Sequence, residues 1–418
     1  MKGMSRQGHW PDMGSAVWWI ALATLGLGQT LQAAVIAAHH GGWVFVVPLA
    51  LILLLLALPL RLAEALLGRR ASTALLPGMA KLTRECDAPR AYRIWSWGSL
   101  LFSWIGVAVA GIINAWCLTY LFHIASSGGA FALDYNAAMV SWGILPAWAL
   151  SLAVALLLSQ HGILHLPSTL RGVGWSVFAL LVLAVLLQGR HILELGGSWA
   201  ALGLASTWWA ALELALQWCA GGMGLWYVAA VFLPSSTSLP RLASWVFLVQ
   251  GLLLLISMMA LAGFLPLLAE PRGLLSFLLL DLPNALAGGS VLIAIVLLSS
   301  LLLASWVAMV ALIEPLRLEL ESRDWRALST QGTLLLAIIL ATALLLRPWP
   351  MHRPLQVAMI LLMMVLAVFT GWVMKISHAR KGLALSPEGL YNAWRIAVRI
   401  LAPLSLLALL LHLWRGGA

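Results

Sequence analysis

Residues 26–48, GLGQTLQAAVIAAHHGGWVFVVP, begin inside the first hydrophobic segment, yet they open with Gly26-Leu27-Gly28 and later hold Gly41-Gly42. A simple membrane anchor needs no such break. Glycine lets the backbone leave helical geometry and expose its N–H and C=O groups. In hydrocarbon those groups must be satisfied, so a break at mid-membrane is tolerated only where it is buried in protein or lines a cavity. A broken first helix therefore predicts a binding site inside a membrane domain.

The rest of the chain fits that setting. It has 418 residues, 62% hydrophobic and 9% charged, with a mean hydropathy of +0.98. Apolar runs of the ~20 residues that cross a bilayer recur at about 14–39, 43–67, 95–124, 138–159, 172–188, 199–233, 240–269, 290–315, 327–346, 353–376 and 389–414. They predict an all-α membrane protein of eleven transmembrane helices, with 1–418 as a single transporter-like membrane domain. Residues 272–289 are apolar but interrupted by Asp281, Pro283 and Gly288-Gly289, and read as a re-entrant or surface helical hairpin. The net charge of +10 reads as loop charge on the cytoplasmic side, not as nucleic-acid binding. Cys86, Cys117 and Cys219 form neither a disulfide framework nor a metal site. After Lys2 and Arg6 the first apolar run is long and lacks a small-residue cleavage site, so a retained helix is expected rather than a signal peptide.

Loop charge sets the orientation. The loop after span two holds Arg69, Arg70, Lys81, Arg84, Arg90 and Arg93. The loop after span eight holds Arg317, Arg323 and Arg326, and the loop after span ten holds Lys375, Arg380 and Lys381. All three fall on one side if the N-terminus is cytoplasmic and the C-terminus is outside. Arg347 and Arg353, at the turn after span nine, are the exception. Span six repeats the glycine break of span one, as Gly221-Gly222-Met223-Gly224. The two breaks open two five-helix halves, about 14–188 and 199–376, with an extra helix at about 389–414. Interrupted helices at matching positions of two halves point to a transporter binding site, although glycine also serves close helix packing.

At this point the motifs resemble those of the neurotransmitter:sodium symporter family, whose bacterial members include leucine-transporter-like amino-acid transporters. The resemblance rests on His9-Trp10, Gly26-Leu27-Gly28, Gly41-Gly42, Phe45, Pro48 and Pro59-Leu60. It continues through Glu64 to Arg69, Gly222-Met223-Gly224, Leu282-Pro283, Ala287-Gly288-Gly289 and Glu314-Pro315. It implies two inverted five-helix repeats and secondary transport of an amino acid or similar small zwitterion by alternating access, coupled to sodium. It also implies a bacterial inner (plasma) membrane. The substrate carboxylate would meet the backbone of Thr24, Leu25, Gly26, Leu27 and Gly28, where the positive end of a half-helix dipole helps. The substrate side chain would lie against Ala220, Gly222, Met223 and Gly224 of span six, Ile113 of span three and Ala308 of span eight. Room beside the two span-six glycines and the adaptable Met223 favour a bulky apolar side chain.

The ion positions depart from the family. Sodium is a hard cation that wants several oxygen ligands. Where the resemblance implies an Asn in span one there is Ala23, and a second Asn becomes Gln29. The span-six hydroxyl falls on Trp218, the span-seven Asn near Leu242, and the span-eight hydroxyls on Val307 and Ala308. The gate Arg of span one becomes Gln32, its acidic partner in span ten is absent, and no tyrosine closes from the middle of span three, Ala110 to Asn114. Sodium, proton or no coupling therefore all stay open, with Gln29, Glu213 and Glu64 as candidate coupling groups. Glu213 is an intramembrane acid able to carry a proton, or else a packing partner of Gln217. Glu64 is also expected to hold the broken backbone by accepting hydrogen bonds. Glu314 is expected to be solvated. His39-His40 reads as a polar pair at the interface, and His161 and His165 lack further metal ligands. Most of the 23 tryptophans read as interface anchors. Trp208, Trp209, Trp218 and Trp226 line a pocket around the span-six break or simply pack. No His/Asp/Cys constellation supports an enzyme. The alternative to a transporter is a transporter-like protein that binds a ligand or partner without transport.

Overall fold

Leucine- and alanine-rich runs in hydrocarbon have to satisfy every backbone group internally, and helices do so within one segment. Regular structure among the described residues is accordingly helical, apart from one isolated bridge between Gly42 and Gly197. The computed structural model describes residues 10–126, 150–151, 154, 167–189, 196–219, 222–234, 236–268, 277–287, 290–323, 352–385 and 388–415. Span nine, most of span four, and His161 and His165 lie outside the described residues.

Seven described helices are long and apolar enough to cross a membrane: Trp43–Ala71, Arg90–Ser126, Pro167–Gln188, Leu239–Leu267, Val291–Glu321, Arg353–Val373 and Glu388–Trp414. Span one makes an eighth, bent by 59° between Met13–Ala23 and Gly28–His39. It remains helical across the bend, so the first span is kinked rather than unwound. Gly26 and Gly28 are the residues that permit such a kink. Asp12 caps its start, accepting from Ser15 N and Ser15 Oγ, both at 2.8 Å. Partial burial opposes the Asp12 charge, but the Ser15 bonds and Arg171, 3.6 Å away, hold its carboxyl below the usual carboxylate range.

Span one packs against spans five, seven and eight, and span eight also packs against spans three and five. Span eleven stays peripheral, with Leu404, Leu407 and Leu411 exposed, as a lipid-facing helix requires. Residues 277–287 differ from a surface hairpin. Phe277, Leu278, Leu282 and Leu286 are all buried, because their spacing makes one apolar stripe. Leu278 reaches the bend of span one: a Cβ built on Gly28 would stand 2.5 Å from its Cδ1.

Charge collects at the other end. Arg70 meets Glu85 at 2.7 Å, Lys375 meets Asp87 at 3.7 Å, and Arg317 meets Glu321 at 2.7 Å. Glu314 is not solvated. It is 1% exposed and paired with Arg317, three residues on along the same helix.

Span two and the second half of span six approach most closely at Gly68. A Cβ there would stand 2.0 Å from the backbone oxygen of Tyr227, which is not free to move aside. Gly68→Ala is therefore expected to lower stability by about 1–3 kcal/mol or more, read as a fall in the thermal unfolding midpoint of purified protein. An unchanged midpoint would contradict this packing.

Candidate functional site

The first half of span six ends at Cys219 and the second runs from Leu225 to Val231. Between them Gly222 has φ 91 and Gly224 has φ 74, a region that residues with a Cβ rarely adopt. A continuous helix would bond Gly222 N–H to the Trp218 carbonyl, and Trp226 and Tyr227 N–H to the carbonyls of Gly222 and Met223. The structure replaces those bonds with side chains. Glu64 Oε2 accepts from Gly222 N at 2.9 Å, and Glu64 Oε1 accepts from Trp226 N at 3.2 Å and Tyr227 N at 3.5 Å. Arg61 Nη2 donates to the Trp218 carbonyl at 2.5 Å. Ser103 Oγ of span three donates to the Met223 carbonyl. Both ends of the opened Gly222–Trp218 bond thus terminate on charged side chains three residues apart on span two.

Arg61 and Glu64 are both fully buried. Arg61 Nη1 also donates to Gln250 Oε1 of span seven at 2.6 Å, and its guanidinium lies 5.8 Å from the Trp226 ring centre. A buried charge costs several kcal/mol unless paired and hydrogen-bonded. Here three N–H donors face the acid and two oxygens face the base.

Span three presents one stripe to this region. Ser103 reaches Met223, Ala110 accepts from Ser305 Oγ of span eight at 3.2 Å, and Asn114 lies one turn further along the same face. Asn114 is fully buried, and neither its carbonyl oxygen nor its amide nitrogen has a hydrogen-bond partner. Leaving such a group unpaired costs about 1–3 kcal/mol. It is the kind of side chain that receives a polar ligand.

The expected site residues fall as follows. Thr24 to Leu27 form the bend of span one, and Gly28 is buried under Leu278. Gly222 packs near Leu362 of span ten, and Gly224 near Leu75. Met223 is half-buried, while Ile113 and Ala308 are buried, each one turn from the Ala110–Ser305 link. Ala220 lies outside the described residues. Gln29 is half-buried and its Oε1 has no partner. Glu213 is not at the break. Two turns earlier, its Oε1 accepts from Gln217 Nε2 at 3.4 Å and from Gln356 Nε2 of span ten at 2.7 Å.

The four tryptophans do not share a pocket. Trp218 and Trp226 are buried on either side of the break, whereas Trp208 is 38% exposed and Trp209 stacks on His412, 4.4 Å between ring centres. Leu242 sits in the first turn of the span-seven helix, and the carboxamide at the level of the break is Gln250. The sequence reading did not single out Arg61, Asn114 or Gln250, although a cation inside an apolar run is a functional candidate by default.

At the positions the resemblance assigns to sodium, the oxygens are missing or already taken. Ala23, Trp218, Val307 and Ala308 bring no side-chain oxygen, and the Trp218 carbonyl and Gln250 Oε1 already accept from Arg61. His39 Nε2 lies 3.1 Å from the Leu268 carbonyl, and no cluster of metal-ligating side chains occurs among the described residues.

No protein-family model matches the sequence, and no curated protein matches it closely enough to count as a relative. The fold does match a solved structure, described as the crystal structure of MhsT in complex with L-phenylalanine. The TM-score is 0.75 at 19% identity, over 97% of this chain and 99% of that one. The chain therefore has the leucine-transporter type of fold, in an integral membrane protein.

If charge on span two closes the broken backbone, Glu64→Gln removes one acceptor and the counter-charge of Arg61. The expected loss is ~3–5 kcal/mol, against ~1 kcal/mol for Ser103→Ala. Thermal unfolding of the two variants side by side reads the order. Equal losses would show that the break does not depend on the Glu64 charge.

Proposed function

We propose that the protein is a secondary transporter that carries an amino acid, or a similar small zwitterion, across the membrane by alternating access. The observation that carries this reading is the opened span six, braced across its break, together with the bend in span one. Span one is bent by 59° at Thr24–Leu27, and span six is opened at Gly222–Gly224 and braced by Glu64. As the family resemblance implies, a carboxylate of the ligand would lie beside Thr24–Gly28, where span one bends. Asn114, bare and buried, would hydrogen-bond a polar group of the same ligand. The similarity to MhsT, whose structure holds L-phenylalanine, makes a bulky apolar amino acid the first ligand to try.

In this reading the N-terminus and the charge-rich end face the cytoplasm of a bacterial cell. Leu278 then covers the bend of span one from outside. Glu213, bonded to Gln356 across spans six and ten, is the group through which an external proton would act.

Uptake into liposomes by the purified protein, offered L-phenylalanine and then other amino acids, tests the function. Sodium and pH gradients are imposed separately. Accumulation is expected, and binding without uptake would instead favour a transporter-like binding protein. Acid-driven uptake that survives Glu213→Gln unchanged would remove Glu213 from the mechanism. Asn114→Leu is expected to weaken ligand binding about tenfold, ~1.4 kcal/mol, while the unfolding midpoint stays level or rises because an unpaired buried amide is gone. A variant that binds as tightly as the parent would show that Asn114 does not face the ligand.

A further inference from the structure

Arg61 takes two oxygens from two different spans. Nη2 holds the Trp218 carbonyl at 2.5 Å and Nη1 holds Gln250 Oε1 at 2.6 Å. The carbonyl is free only because the helix breaks, its usual donor Gly222 N–H having gone to Glu64. Trp218 stands where the family resemblance implies a sodium ligand in span six, and Gln250 supplies a carboxamide oxygen from span seven. A cation is thus present at a place where a coupled relative would bind one, but it is covalently attached.

The chemistry of a guanidinium suits that position. It is planar, keeps its charge at any working pH, and offers several N–H donors in a fixed fork. A sodium ion would need the same oxygens, and in binding them it would face a unit positive charge a few ångströms away in a medium of low dielectric. Glu64, one turn along the same helix and equally buried, already supplies the negative charge beside Arg61. A second cation would leave the interior with an unbalanced charge.

We propose that Arg61 is a built-in cation that takes the place of bound sodium at the junction of spans two, six and seven, so that the site forms and binds its ligand without sodium. This rests on reading the break as a transporter-type site. The test below reads stability, so it gives an answer whether or not the protein transports.

The full-length protein is purified in detergent, and its thermal unfolding is followed by tryptophan fluorescence in sodium chloride and in choline chloride at equal ionic strength. The parent protein is expected to show the same midpoint in both. Arg61→Ala takes the guanidinium away from the Trp218 carbonyl and Gln250 Oε1, and its lowered midpoint is expected to rise by several degrees with sodium or millimolar guanidinium but not with choline. Arg61→Lys keeps a cation and is expected to stay indifferent to sodium. A sodium-specific rise in the parent protein overturns the proposal, as does an Arg61→Ala protein that responds to neither cation. Should Arg61→Ala fail to fold, the parent and Arg61→Lys decide the matter: a sodium-dependent midpoint in either one overturns it.

Discussion

A helix that opens inside a membrane has to place the two halves of each hydrogen bond it gives up. In span six the opened bond is the one between Gly222 N–H and the Trp218 carbonyl, and span two completes both halves. Glu64 takes the donor and Arg61 takes the acceptor. Because these side chains lie three residues apart, they share one face of one helix and meet the break together. Either alone would be an uncompensated buried charge. As a pair they convert a backbone defect into a fixed feature of the bundle.

Other contacts depend on that arrangement. Gly68 lets span two lie directly against the Tyr227 backbone, so the second half of span six is positioned by close packing as well as by Glu64. Ser103 and Ser305 tie span three to the break and to span eight. Beside that scaffold Asn114 is a buried carboxamide with neither its oxygen nor its nitrogen hydrogen-bonded. The hydrogen bonds from Glu64, Arg61 and Ser103 fix the geometry of the break. The polar cluster of Glu213, Gln217 and Gln356 stands apart, joining spans six and ten.

Parts of this were legible in the sequence and parts were not, for reasons that differ residue by residue. The glycine breaks of spans one and six announce themselves because few other residues permit such backbone. Span one nevertheless bends without unwinding, since glycine permits a break and does not impose one. Glu64 is conspicuous as an acid within an apolar run. Arg61 is equally unusual by composition, yet its importance depends on a carbonyl over a hundred and fifty residues away. Glu314 reads as solvated from its place near a charged loop, but Arg317 one turn on allows it to be buried. The tryptophans show the opposite error: closeness in sequence suggests a shared pocket, and helical geometry sends Trp208 and Trp209 away from Trp218 and Trp226.

Hydropathy and glycine placement alone specify a helical membrane protein with a bend in the first span and a break in the sixth, because both act locally and leave their mark at the residue concerned. Tertiary structure alone decided which charges close the break, which oxygens of spans six and seven Arg61 occupies, and which polar side chain stays unpaired. Those outcomes depend on how helices distant in the chain rotate and pack against one another, and one strand of text does not carry relative rotation. The glycine break of span six is closed by the protein's own charges, whereas that of span one is a bend in a continuous helix.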